Sequence, residues 1–138
     1  MKKYCESLFA YRRAKTRPVA VGNVTIGGEN PVRIQSMTNT DTNDTAASVA
    51  QIQRIADAGG ELVRLTAQGR REATNLGEIR RQLRAEGCDV PLVADIHFLP
   101  EAALIAAANV EKVRINPGNY VDPGRTFRKL EYTDEEYA

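Results

Sequence analysis

Four short apolar runs alternate with three stretches of helical periodicity between Val32 and Ile115, and this alternation restricts the fold more than any other feature of the chain. The runs are Val32 to Met37, Glu61 to Thr66, Pro91 to Ile96 and Glu111 to Ile115. Between the first two, Val49, Ile52, Ile55 and Ala56 recur at helical spacing and predict a helix over about 44–58, ended by Gly59-Gly60. Leu76, Ile79 and Leu83 form a second stripe, with Arg80, Arg81 and Arg84 away from it and Gly87 at the C′ position. Pro100 suits a first helical residue, and Glu101 to Ala108 is rich in helix formers. Strands alternating with helices over short loops imply a parallel sheet with right-handed crossovers. Upstream, Val19 to Val21 and Val24 to Ile26 flank Gly22-Asn23 and read as a short hairpin, with Gly and Asn supplying positive φ; Gly27-Gly28 marks a second turn.

The parity of the strands points to chemistry. Side chains alternate between faces, so Arg64 and Thr66 share a face, as do Asp95 with His97 and Arg114 with Asn116. The opposite face carries Val63 and Leu65, then Leu92, Ala94 and Ile96, then Val113 and Ile115. Three successive strands thus end on paired polar groups, at the sheet end where parallel α/β proteins bind ligands. Two arginines on that face suit an anion with several oxygens, because the guanidinium fork matches phosphate bidentately. His97, with Asp95 two residues earlier, is a candidate for proton transfer or for holding a hydroxyl. The same groups also admit a self-satisfied network in which Asp95 pairs with an arginine and His97 donates to a neighbour. Gln35 to Thr40 has the polar content of a ligand loop and equally that of a helix-capping segment. Asn116-Pro117-Gly118-Asn119 is a turn by composition.

Charge and composition narrow the function classes. Nineteen Lys plus Arg against eighteen Asp plus Glu leave a net charge of +1, which gives no overall field for nucleic acid. Six of the basic residues lie within the first 17 positions, read as a solvated arm ahead of a domain over 18–138. No apolar run approaches the roughly 18–20 residues of a membrane span, and no signal-peptide core follows Met1, so a cytoplasmic protein is expected. Cys5 and Cys88 stand far apart beside a single histidine, too little for a zinc or iron–sulfur site within residues 1–138. G-x-G-x-x-G, Walker A, nucleophile-elbow and C-x-x-C motifs are absent. Thr133 to Glu136 has capping-box spacing and opens a helix that stops at Ala138. The chain therefore reads as about half of a (β/α)8 barrel, which needs eight units and ~250 residues, with an open doubly wound sheet as the other architecture.

Val21-Gly22-Asn23-Val24 with Ile26-Gly27-Gly28, Val32 to Thr40, Leu62 to Thr66, Pro91 to Phe98, and Val113 to Asn119 form five motifs in order. Together they closely resemble 4-hydroxy-3-methylbut-2-enyl diphosphate synthases. The resemblance, over about 10–122, implies the N-terminal part of a dihydropteroate-synthase-like TIM barrel. It implies an oxidoreductase that reductively opens 2-C-methyl-D-erythritol 2,4-cyclodiphosphate in the methylerythritol phosphate route to isoprenoids. On this basis Arg64 and Arg114 match diphosphate-binding arginines, and Asp95, His97 and Asn116 match polar residues of the same pocket. A [4Fe-4S] cluster held outside this chain, ferredoxin or flavodoxin as electron donor, and a homodimer are also implied. The 138 residues alone are then expected to be inactive. The competing reading is a non-catalytic phosphate- or diphosphate-binding α/β module.

Overall fold

The computed structural model describes Phe9, residues 15–118 and Tyr120. Among them lie six strands and three helices: β1 (Val19–Val21), β2 (Val24–Ile26), β3 (Gln35–Met37), α1 (Thr45–Asp57), β4 (Leu62–Ala67), α2 (Arg70–Ala85), β5 (Leu92–Ile96), α3 (Pro100–Ala107) and β6 (Lys112–Arg114). The strands β3-β4-β5-β6 form one parallel sheet in sequence order, and β1 pairs antiparallel with β2. The expected helix at Thr133 to Glu136 and most of the basic arm lie outside the described residues.

The helices form where the periodicity places them, with local chemistry setting their ends. Asp44 caps α1, its side chain accepting from the Ala47 N–H at 3.0 Å. Gly87, with φ +78°, terminates α2 in the left-handed conformation that a Cβ disfavours. Pro100 occupies the first turn of α3, where its missing N–H costs nothing. In α3 the buried side chains are Ala102, Ala103 and Ala106, small enough for close approach to the sheet.

The two faces of the sheet bury different things. Val63, Leu65, Ala67, Leu92, Ala94 and Ile96 pack against Val49 and Ile52 of α1, Ala73, Leu76, Ile79 and Leu83 of α2, and the alanines of α3. Each fully buried Leu or Ile there contributes about 1.5–3 kcal/mol. On the other face, Leu62 and Val93 pack with Val21, Val24 and Ile26 of the hairpin. Because Arg64 and Asp95 follow Leu62 and Val93 by two residues on the same face, the hairpin seals the strand-start end and leaves the polar layer above it.

Two expectations need correction. The turn at Gly22-Asn23 takes positive φ at Gly22 alone (+58°), the type II′ pattern, and Asn23 stays on the ordinary side. A side chain at Gly22 would also press on Pro91 and Glu111, so the glycine serves contact as well as turn. The first apolar run pairs only from Gln35, since the Glu61 carboxylate takes the Ile34 N–H while the Ile34 carbonyl accepts from Glu61 and Leu62. Val32 and Ile34 remain exposed beside this edge strand.

Glu111 ties the start of β5 to α2 and β6. Its carboxylate, nearly buried, accepts from the Leu92 N–H (2.8 Å), Arg80 Nε (2.8 Å) and Arg84 Nη2 (3.1 Å). Burial pushes its pKa up, but the Leu92 N–H and the charge and hydrogen bond of Arg80 outweigh that and leave it below the ordinary value. Glu111→Gln is expected to lower stability by about 2 kcal/mol at neutral pH. A lowered folded-state pKa makes this contribution complete above the unfolded value of 4.5 and lost as pH falls through the folded one. Chemical denaturation of wild type and variant between pH 7 and pH 3 should therefore show the gap closing in acid.

Candidate functional site

The strand register assembles the site. Met37 is the direct neighbour of Arg64, Thr66 of Asp95, and Asp95 of Arg114, so four adjacent strands present side chains to one face near their C-terminal ends. Asp95 sits at the centre with its side chain 5% exposed. Arg114 Nη1 donates to its Oδ1 at 2.8 Å, Arg64 Nε lies 3.6 Å from its Oδ2, and His97 Nε2 lies 3.4 Å from the same oxygen. The sequence-selected residues Arg64, Asp95, His97 and Arg114 are thus brought together.

Asn116 is engaged elsewhere. Its Oδ1 accepts from the Gly118 N–H at 3.2 Å, which closes the turn after β6. Thr66 follows Arg64 on the same face, and its carbonyl accepts from Thr42 Oγ1 at 2.7 Å. A recess of about 220 Å³ lined by Thr40, Asp41, Thr42, Thr66, Gln68 and Glu72 opens there. The polar groups of the Gln35 to Thr40 segment largely hold it to α1: Gln51 Oε1 accepts from the Asn39 and Thr40 N–H groups, and its Nε2 donates to Asn39 Oδ1.

Met37 is the site residue that polarity alone overlooks. Arg64 directs Nε and Nη2 at its Sδ, both at 3.3 Å. A thioether accepts weakly and carries no charge, so it orients the guanidinium without neutralising it. The signal available in the sequence is parity, since Met37 ends β3 and register brings it beside Arg64.

The electrostatic balance is uneven: two guanidinium groups face one carboxylate, which leaves a positive surplus at the mouth of the sheet. Arg64 and Arg114 keep 31% and 39% of their side-chain surface exposed, whereas Asp95 is sealed beneath them. The arrangement can take an anion from the solvent side while the buried carboxylate fixes the arginines from below. Phe98 closes the strand end with φ +58°, in the left-handed region that costs a side chain roughly 1–2 kcal/mol.

The residues are less suited to a metal. Among the described residues, no three His, Cys, Asp or Glu converge on a possible ion, and Cys88 is the one cysteine. No described helix is long and apolar enough to cross a membrane.

Residues 16–136 match the GcpE TIM-barrel domain, a fold of parallel strands and helices like the one described above. The chain belongs to this family. It is 66% identical over 131 residues to the 4-hydroxy-3-methylbut-2-en-1-yl diphosphate synthase (flavodoxin) of Bacteroides fragilis strain YCH46, covering 95% of this chain and 21% of that protein. The corresponding Akkermansia muciniphila protein is 58% identical over 134 residues, or 97% of this chain and 23% of its own length. The chloroplastic ferredoxin form of Oryza sativa subsp. japonica is 50% identical over 136 residues, covering 99% and 18%. The chain spans about a fifth of the length of these GcpE relatives. Its four-stranded parallel sheet is accordingly a portion of a TIM barrel.

Asp95 should dominate the stability of this GcpE layer. Asp95→Leu, which strands two arginines over an apolar residue, is expected to cost about 3 kcal/mol. Adding Arg114→Met should return part of that loss, because one unpaired charge is then removed. Equilibrium unfolding of the single and double variants measures both.

Proposed function

We propose that this chain is the substrate-binding part of an oxidoreductase that opens 2-C-methyl-D-erythritol 2,4-cyclodiphosphate reductively to (E)-4-hydroxy-3-methylbut-2-enyl diphosphate. The observation that carries this reading is the positive surplus of Arg64 and Arg114 around one buried carboxylate, presented at the strand ends. The names of the relatives agree with it.

The roles follow from the geometry. Arg64 and Arg114 take the diphosphate oxygens, and Asp95 holds both arginines in place before the ligand arrives, so little ordering remains to be done on binding. His97, with Nε2 toward Asp95, stands at the rim of the same cluster and can position or protonate an oxygen of the substrate. Asn116, on the turn after β6, keeps its Oδ1 on the Gly118 N–H and has only its Nδ2 amide to offer the ligand from that side. An iron–sulfur cluster, [4Fe-4S] on the family resemblance, would be held outside the described residues and would supply the electrons, with flavodoxin or ferredoxin as their source. The described residues offer it no ligand set, so their work is binding, orientation and proton handling. The enzyme acts as a homodimer in the cytoplasm.

Calorimetry of the full-length protein with inorganic pyrophosphate tests the anion site. Arg64→Ala and Arg114→Ala should each weaken binding about 10- to 100-fold, the equivalent of roughly 1.5–3 kcal/mol for a charge-assisted contact. Arg64→Lys should restore only part, because an ammonium lacks the fork. Unchanged affinity in both alanine variants would sink the reading.

The histidine is tested separately by turnover. His97→Asn should lower kcat and flatten its pH profile, whereas a lower kcat with an unaltered profile assigns His97 to positioning alone.

A further inference from the structure

We propose that Met37 is a positioning residue of the anion site, whose neutral thioether sets the direction of the Arg64 fork and leaves the full charge of that fork to the diphosphate. The inference rests on the anion-binding reading above and adds to it what aims one of the two arginines and why that group carries no charge.

The two arginines are held in different ways. Arg114 Nη1 donates directly to Asp95 Oδ1 at 2.8 Å. Arg64 makes no such bond, because its Nε lies 3.6 Å from Asp95 Oδ2, beyond hydrogen-bond reach. Nε carries a single N–H, and that donor goes with one from Nη2 to Met37 Sδ, both at 3.3 Å. Asp95 therefore attracts the Arg64 guanidinium without fixing its plane. Two donors converging on one sulfur do fix it. Since the group is planar, its opposite edge, with Nη1, then faces away from Met37, and no described residue takes Nη1.

The backbone places the sulfur for this contact. Met37 is the register neighbour of Arg64 in the parallel pair, and the Thr38 N–H donates to the Arg64 carbonyl at 2.9 Å. Among the described residues Met37 belongs to neither apolar cluster, so filling a core does not account for it. Its neutrality matters as much as its reach. A carboxylate at this position would grip the fork more firmly, but it would set two carboxylates against two arginines and cancel the surplus that draws an anion. A thioether is a weak, uncharged acceptor that orients the fork and leaves that surplus intact.

The experiment compares Met37→Leu, Met37→Gln and Met37→Glu in the full-length enzyme, and repeats Met37→Leu in an Arg64→Ala background. Inorganic pyrophosphate binding is read by calorimetry, and the cyclic diphosphate by KM and kcat. Met37→Leu, close in volume but without an acceptor, should weaken pyrophosphate binding about three- to fivefold and raise KM by a similar factor, with kcat changed less. Met37→Gln, which restores a neutral acceptor, should stay within about twofold of wild type. Met37→Glu should lose about tenfold or more. With Arg64→Ala already present, Met37→Leu should add no further loss, since its partner is gone.

The reverse order, with Leu equal to wild type and Gln weaker, overturns the proposal and assigns Met37 to packing. So do equal losses in Leu and Gln with a lowered melting temperature, Glu binding as well as Gln, or a full additional loss in the Arg64→Ala background. If Arg64→Ala leaves pyrophosphate affinity unchanged, the anion site itself is wrong. If Arg64→Ala weakens binding and Met37→Leu does not, only the role of Met37 falls.

Discussion

One buried carboxylate organises the functional face of this protein. Asp95 is nearly inaccessible, and an ionised carboxylate in such a place persists only with opposite charge or strong donors around it. Arg114 and Arg64 supply that charge from the strands on either side, and His97 adds a ring nitrogen from the same strand. Removing the carboxylate would leave two guanidinium groups facing each other. The same group thus makes the arginines tolerable at close range and, on the proposed function, holds them ready for an anion. Stability and the proposed binding then become one requirement.

The hairpin makes that arrangement possible. A polar layer in an open sheet would flood with water from both ends, and water would weaken every ion pair in it. Val21, Val24 and Ile26 cover Leu62 and Val93, so the layer is closed at the strand starts and open at the strand ends. Glu111 reinforces the closed end, where its carboxylate joins the Leu92 N–H to two arginines of α2. Both ends of the sheet therefore use a carboxylate with two arginines, but to different effect. Glu111 also accepts from the backbone and fixes β5 and β6, whereas the arginines around Asp95 remain partly exposed.

Much of this was legible in the sequence because two periodicities differ so plainly. Helical spacing in Leu76, Ile79 and Leu83 and the run through Leu92 to Ile96 separate the elements, while Gly59, Gly87 and Pro100 punctuate them. Parity then put Arg64, Asp95, His97 and Arg114 on one face without any knowledge of register. What parity could not supply was distance. It treated the self-satisfied network and the ligand site as competitors, yet Asp95 is paired and the arginines still face solvent. Parity also grouped Asn116 with the others, although two residues beyond β6 its side chain folds back on the Gly118 N–H. Met37 escaped notice because a thioether looks apolar until register sets it against a guanidinium. The extent of the first strand was overestimated for a related reason: composition marks Val32 and Ile34 as strand formers, but only a paired neighbour makes them strand.

The division of donors within each guanidinium explains how an anion can enter without dismantling the layer. Arg114 commits Nη1 to Asp95, and Arg64 turns Nε and Nη2 toward Met37, with Nε also nearest Asp95. A guanidinium carries five N–H donors, so each arginine uses its inner edge for the protein and retains outer donors for the ligand. On the proposed reading an incoming diphosphate would add contacts instead of displacing the carboxylate, and Asp95 would never become an unpaired buried charge. A lysine in either place could not divide its charge in this way, since its three donors share one nitrogen. The identity of these residues as arginine, and not merely as cations, follows from the burial of Asp95.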